Sequence, residues 1–227
     1  MAFILSIETS TSVCSVAVHR EGSIVALSQY FVEKSHSSIL TPLIEETLQH
    51  SGIKIEDLSA VAISEGPGSY TGLRIGTSTA KGICFALDIP LIAVNTLLSM
   101  AHEVNLFNQN KALLCPMLDA RRMEVYSLVT DADLNIIQET LPIIIDEESF
   151  KATLAGNEVL FFGNGSEKCS SVIRSGNAVF LKEIHPSAKN IGALAWKAFE
   201  QKSFVDLAYF EPFYLKPFLA GKPKQLV

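Results

Sequence analysis

Two carboxylates stand where apolar runs end, Glu8 after residues 3–7 and Asp119 after residues 112–118. Brought together in a cleft, such a pair could bind Mg²⁺ or activate water. Thr9 and Ser10 follow the first acid and Arg121 follows the second, so each run leads into a turn carrying groups that suit an anion. Residues 66–76, GPGSYTGLRIG, form a third candidate: a glycine turn at the mouth of a helix. Backbone N–H groups around Gly68 and Ser69 can point at an anion there, aided by the helix dipole. The same glycines equally suit a turn in which strand and helix pack closely. The spacing matches neither the Walker A loop nor the dinucleotide fingerprint. Gly68-Ser69-Tyr70-Thr71-Gly72 also puts its serine one place early for a nucleophile elbow.

Other reactive residue types form no constellation. His36-Ser37-Ser38 reads as the start of a helix, since adjacent residues there do not face one another as nucleophile and base. His19, His50, His102 and His185 fall on separate elements without ligand spacing. Cys14, Cys84, Cys115 and Cys169 are scattered singly, with no CxxC pair, and read as reduced, buried thiols. Neither an HExxH zinc motif nor a serine triad is present. The residues therefore predict no catalytic centre and no metal site.

Composition narrows the classes. The chain has 227 residues, 48% hydrophobic and 19% charged, with a formal net charge of −6. That excludes a disordered polar chain and argues against nucleic-acid binding by this chain alone, because there is no surplus of cations for a phosphate backbone. The most apolar stretch, residues 83–94, is interrupted by Asp88 and Pro90 and is too short for a membrane span. The N-terminus lacks a basic region and reaches Glu8 early, unlike a secretory signal. A soluble cytoplasmic protein is expected.

Element periodicities supply the frame for these residues. Residues 3–7, 13–18 and 24–30 read as strands, with a turn at Arg20-Glu21-Gly22. Ser35 looks like an N-cap before a helix whose apolar face includes Ile39, Leu40, Leu43, Ile44 and Leu48, ended by Gly52 and interrupted by Pro42. A strand at 58–64, a helix at 71–87 and a strand at 89–94 follow. The order then repeats: strands at 112–118, 125–130 and 136–140, a helix at 147–154, a strand at 159–162, the Gly163-Asn164-Gly165 loop, a helix at 166–173, a strand at 178–182 and a helix at 187–201. This predicts a duplicated α/β unit, with lobes at 1–101 and 102–227 joined through a polar stretch near residues 101–111. Each lobe would carry a mixed sheet flanked by helices, which suggests the actin, Hsp70 and sugar-kinase superfold (ASKHA). In that fold phosphates sit between lobes at the turns after the first strands, so an ATP-dependent kinase or hydrolase acting through Glu8 and Asp119 is one functional expectation. On the second helix Gly72, Gly76, Ala80 and Cys84 recur every four residues, a stripe that admits either another helix or the protein's own sheet.

The stretches FILSIETST (3–11), SEGPGSYTGLRIGTSTAKG (64–82), MLDARRMEVY (117–126) and EPFYLKP (211–217) together resemble the TsaB (YeaZ) family, over nearly the whole chain. The resemblance implies a non-catalytic relative of TsaD, which it binds and activates, with TsaE, for threonylcarbamoyl transfer to the adenosine beside the anticodon of tRNA. ATP would be used by the complex, with no cofactor held by this chain, tRNA would be met only through the complex, and the chain alone could be a homodimer or a monomer. TsaD carries an HxxxH metal pair just past the strand after the glycine turn; Thr96 and Met100 occupy those places here. The usual Asp-Gly-Thr of the first strand is Glu8-Thr9-Ser10, which argues against nucleotide hydrolysis. The resemblance also implies that the first two helices are the pairing surface, and with it Leu40, Leu43, Ile44, Gly72, Gly76, Ala80 and Cys84 are expected to contact the partner.

Overall fold

The computed structural model describes residues 1–31 and 36–216. The expected cap Ser35 and the last residue of the EPFYLKP stretch lie outside the described residues.

Three antiparallel strands open the chain, β1 (Phe3–Glu8), β2 (Val13–Arg20) and β3 (Ser23–Phe31). β1 and β2 are buried almost throughout, on both faces of the sheet, although residues 13–18 alternate loosely in the sequence. Glu21 and Gly22 both take positive φ, 48° and 78°, matching the hairpin twist. Helix α1 (His36–Ser51) follows, with Pro42 in its second turn. It ends in a Schellman motif: Gly52 N–H donates to Gln49 O and Ile53 N–H to Leu48 O, both at 3.2 Å. Strand β4 (Leu58–Gly66) lies parallel to β1, α2 (Tyr70–Leu87) crosses back, and β5 (Leu91–Asn95) lies parallel to β4. Helix α3 (Thr96–Asn105) is capped by the Asn95 side chain, which accepts from Leu97 N at 3.0 Å and Leu98 N at 3.1 Å.

The second half contains β6 (Leu113–Asp119), β7 (Glu124–Thr130), β8 (Ile136–Ile144), α4 (Lys151–Leu154), β9 (Val159–Phe162), α5 (Ser166–Cys169), β10 (Ala178–Phe180) and α6 (Ala188–Glu200). The first sheet runs β3-β2-β1-β4-β5 and the second β8-β7-β6-β9-β10, so corresponding strands occupy corresponding places. The duplication expected from the sequence is thus present strand for strand. Two helices are shorter than their periodicity suggests. Phe150 sits at φ 63°, outside the helical region, so α4 begins only after it. Beyond α5, the Ser170 and Ser171 hydroxyls donate back to Glu167 O and Lys168 O at 2.7 and 3.1 Å, in a turn rather than a continuing helix.

Packing interleaves the halves. α1 and α2 cover one face of the first sheet, where Leu40, Leu43 and Ile44 meet Leu5, Ile7, Val16 and Val18. The opposite face is covered by α6, whose Ile191 and Ala195 pack on Ile4, Ala60, Ala62 and Ile92. Gly192 makes this approach close: a Cβ there would lie 2.0 Å from His19 Nδ1. His19 fastens the contact, donating from Nε2 to Lys189 O at 3.0 Å, with Nδ1 3.4 Å from the Ser6 hydroxyl. α3 joins the second lobe instead, with Leu97, Met100 and Ala101 against Leu114, Leu118, Leu128 and Phe162. Among the described residues no helix is long and apolar enough to cross a membrane.

Candidate functional site

β1 delivers Glu8, Thr9 and Ser10 directly beneath the glycine turn that joins β4 to α2. Ser69 N–H donates to Ser10 O at 2.6 Å, and Thr9 Oγ1 donates to Gly72 O at 2.8 Å. A Cβ on Gly68 would lie 2.4 Å from Ser10 O, one on Gly72 2.0 Å from Thr9 O, and one on Gly76 2.4 Å from Thr9 Oγ1. The glycine spacing is therefore an internal close approach, chosen so that α2 can lie on the first-strand turn. Two N–H groups available to an anion at such a helix start are already used, Ser69 by Ser10 and Gly72 by the Ser69 hydroxyl at 3.3 Å.

Glu8 is wholly buried. Its Oε1 accepts from Ser10 N at 2.5 Å, and its Oε2 has no partner among the described residues. Burial pushes the carboxyl pKa above the usual range, opposed by Ser10, Ser64 and the Thr9 backbone. Asp119, at the matching place in the second lobe, is exposed and differently engaged. It accepts from Arg121 N at 3.2 Å and pairs with Lys168, whose Nζ also donates to Arg122 O and Glu124 O, both at 2.6 Å. Its backbone N–H donates to Asn164 Oδ1 at 2.9 Å, and Gly165 packs on Leu118 as Gly68 packs on Ser10. One acid is buried and the other is exposed and paired with a lysine. Arg121 stands in the β6–β7 turn at φ 73°.

The seven residues expected at a pairing surface all point inward. Leu40, Leu43, Ile44, Gly72, Gly76, Ala80 and Cys84 are buried, the glycines against Thr9 and the others in the core of the first lobe. The stripe of small residues meets the protein's own sheet, the alternative that helix spacing leaves open. What α1 turns outward is Thr41, Pro42, Glu45, Glu46 and Gln49; what α2 turns outward includes Arg74, Ser78, Gly82 and Phe85, the last 84% exposed. Thr96 and Met100 are both fully buried in α3. Burial lowers the pKa of His102 on the same helix.

The stretch after α6 has a role that no sequence periodicity reveals. Val205 pairs with Leu91 at the edge of the first sheet, and Lys81 of α2 donates to Ala208 O and Phe210 O, both at 3.1 Å. Phe213 N–H then donates to Glu65 O at 2.7 Å, Tyr214 packs on Tyr70 with centroids 4.9 Å apart, and Lys216 pairs with Glu124 of the second lobe. This strap ties the lobes together over the mouth of α2. Beneath it lies a cavity of about 800 Å³, lined from the first lobe by Glu65, Asn95 and Leu98, from the second by Leu128, Ile136, Glu139 and Thr140, and from the strap by residues 211–214. Across it Asn95 Nδ2 donates to Thr140 Oγ1 at 3.2 Å. The only sequence signal for this arrangement is the aromatic, charged composition of EPFYLKP.

A family model described as "TsaD: tRNA N6-adenosine threonylcarbamoyltransferase" matches residues 28–217. The tRNA threonylcarbamoyladenosine biosynthesis protein TsaB of Escherichia coli K12 is 30% identical, with 96% of each chain covered. The structure of YeaZ from Pseudomonas aeruginosa superimposes with a TM-score of 0.80 at 25% identity, covering 95% of this chain and all of that one. The ethanolamine utilization protein EutJ of Carboxydothermus hydrogenoformans, at a TM-score of 0.55 and 12% identity, covers 85% of this chain and 90% of its own, and shares the fold alone.

Proposed function

The chain belongs to the TsaB (YeaZ) family, and on that premise we propose that it is a non-catalytic subunit that binds and activates TsaD, with TsaE, during threonylcarbamoyl transfer to tRNA. In this reading it acts in the cytoplasm, the complex uses ATP, the chain holds no cofactor of its own, and tRNA is met only through the partners. The observation that carries the reading is Glu8. A carboxylate meant to hold Mg²⁺ or activate water must reach the ligand, and this one is fully buried beneath the glycine turn, hydrogen-bonded to Ser10.

The pairing surface is then the outward side of α1 and α2, with Glu45 and Glu46 on one helix and Arg74 and Phe85 on the other. When TsaD is absent, a second copy covers the same face. Size-exclusion chromatography with light scattering tests this. Phe85→Asp, at an exposed position, is expected to fold normally and to weaken the complex with TsaD by about 2 kcal/mol, as loss of an aromatic anchor does. If Phe85→Asp and Arg74→Glu both pair at wild-type affinity, the surface lies elsewhere. Mg-ATP turnover by the isolated chain, abolished by Glu8→Gln, would replace the proposal with the kinase or hydrolase reading.

A further inference from the structure

We propose that the cavity between the lobes is a binding site for an organic cation, a guanidinium or ammonium group carried on an apolar stem. Its volume of about 800 Å³ lies within the usual size of small-molecule sites, roughly 300–1,000 Å³. The walls divide by chemistry. Leu98, Leu128, Ile136, Pro212 and Phe213 are apolar, whereas Glu65, Glu139 and Glu211 bring carboxylates, and among the described residues no lysine, arginine or histidine lines the space. None of the three acids is in an ion pair with a described residue. Arg74, on α2, is hydrogen-bonded to Tyr214 and senses the charge of Glu211. Burial pushes the Glu65 carboxyl pKa up, and a cation seated beside it would favour its charged form.

The shape of the lining refines the class. A planar guanidinium can meet a carboxylate through two parallel hydrogen bonds. An aromatic ring such as Phe213 offers its face to a cation, and the leucine and isoleucine walls take up a stem. The same carboxylates repel a nucleoside triphosphate or a tRNA phosphate. Neither Glu45, Glu46 nor Phe85 lines this cavity, so loss of TsaD pairing in Phe85→Asp would leave the proposal standing.

The test uses benzamidine, its neutral isostere benzamide, its anionic counterpart benzoate, and N-acetyl-arginine amide, titrated into the full chain and followed by ¹H–¹⁵N NMR. Benzamidine is expected to bind at least tenfold tighter than benzamide or benzoate, with shifts centred on Asn95, Thr140 and Phe213. Binding by N-acetyl-arginine amide as well identifies an arginine side chain of a protein as an acceptable source; binding by benzamidine alone identifies a free small cation. Glu65→Gln combined with Glu211→Gln should weaken the cations at least tenfold while leaving the thermal transition in place; if that pair fails to fold, Glu139→Gln, at an exposed position, is expected to weaken them at least threefold. Equal affinity for benzamidine and benzamide, unchanged binding in the folded variants, or Mg-ATP producing the same shift pattern would overturn the proposal.

Discussion

Glu8 keeps an ionisable group in a place that does not favour its charge. A carboxyl whose pKa is raised on folding costs nothing below its ordinary value, here 4.5, and destabilises increasingly as the pH climbs through the folded value. Glu8→Gln preserves an acceptor for Ser10 N and removes the charge. Urea unfolding at pH 4 and pH 8 should therefore show the variant gaining on the wild type as the pH rises; a difference independent of pH would mean that Glu8 is not neutral in the fold. His19 shifts the other way, because burial holds its ring below the usual 6.5. Its contribution is present above that value and is lost as the pH falls from 6.5 through the folded pKa. His19→Gln should flatten the loss of stability on the acid side, read in the same unfolding series. At this scale the sequence was informative about residue types and silent about environment. Glu8 and Asp119 are both visible as acids after apolar runs, but only three-dimensional packing makes one buried and leaves the other with Lys168.

Within α2, position along the helix decides what a glycine does. Gly72 faces Thr9 O at a separation that leaves no room for a methyl group, whereas Gly82 has nothing within 4 Å of where its Cβ would stand. Gly72→Ala should cost about 1–3 kcal/mol through overpacking, or prevent folding. Gly82→Ala should stabilise by about 0.5–1 kcal/mol, the helix-interior preference for alanine. Thermal or urea unfolding of the two variants checks both signs. Arginine at Gly76 would be no test of partner pairing, since it would collide with Thr9 before reaching any partner. The four-residue stripe was legible as a close approach because its spacing belongs to one helix face. Which surface it approaches was not, because period alone cannot distinguish a neighbouring chain from the first-strand turn of the same chain. α4 and α5 illustrate the other limit: apolar spacing continues past the point where Phe150 and the Ser170 and Ser171 hydroxyls redirect the backbone.

The whole molecule repeats one strand order twice, and that repeat could be read from the succession of apolar runs and turns. The interleaving could not, because nothing in the amphipathic pattern of α6 names the sheet it will cover. A fragment ending at residue 187 should expose the face of Ile4, Ala60, Ala62 and Ile92 that α6 buries, and is expected to be insoluble or molten by circular dichroism and dye binding. A fragment ending at residue 203 keeps α6 and loses the strap, and should retain secondary structure with a lowered thermal transition. If the fragment ending at 187 folds cooperatively, α6 is dispensable to the first sheet. The crossing of α6 also sets a timetable on the ribosome. All five strands of the first sheet have been made by residue 95, yet the helix that covers their second face is finished only at residue 200. At about 5–20 residues per second, that face stays bare for on the order of ten seconds in every newly made copy. Over that interval the nascent chain is a client for whatever holds exposed apolar surface apart in the cell, and a message broken between those two points yields a sheet with no means of covering itself.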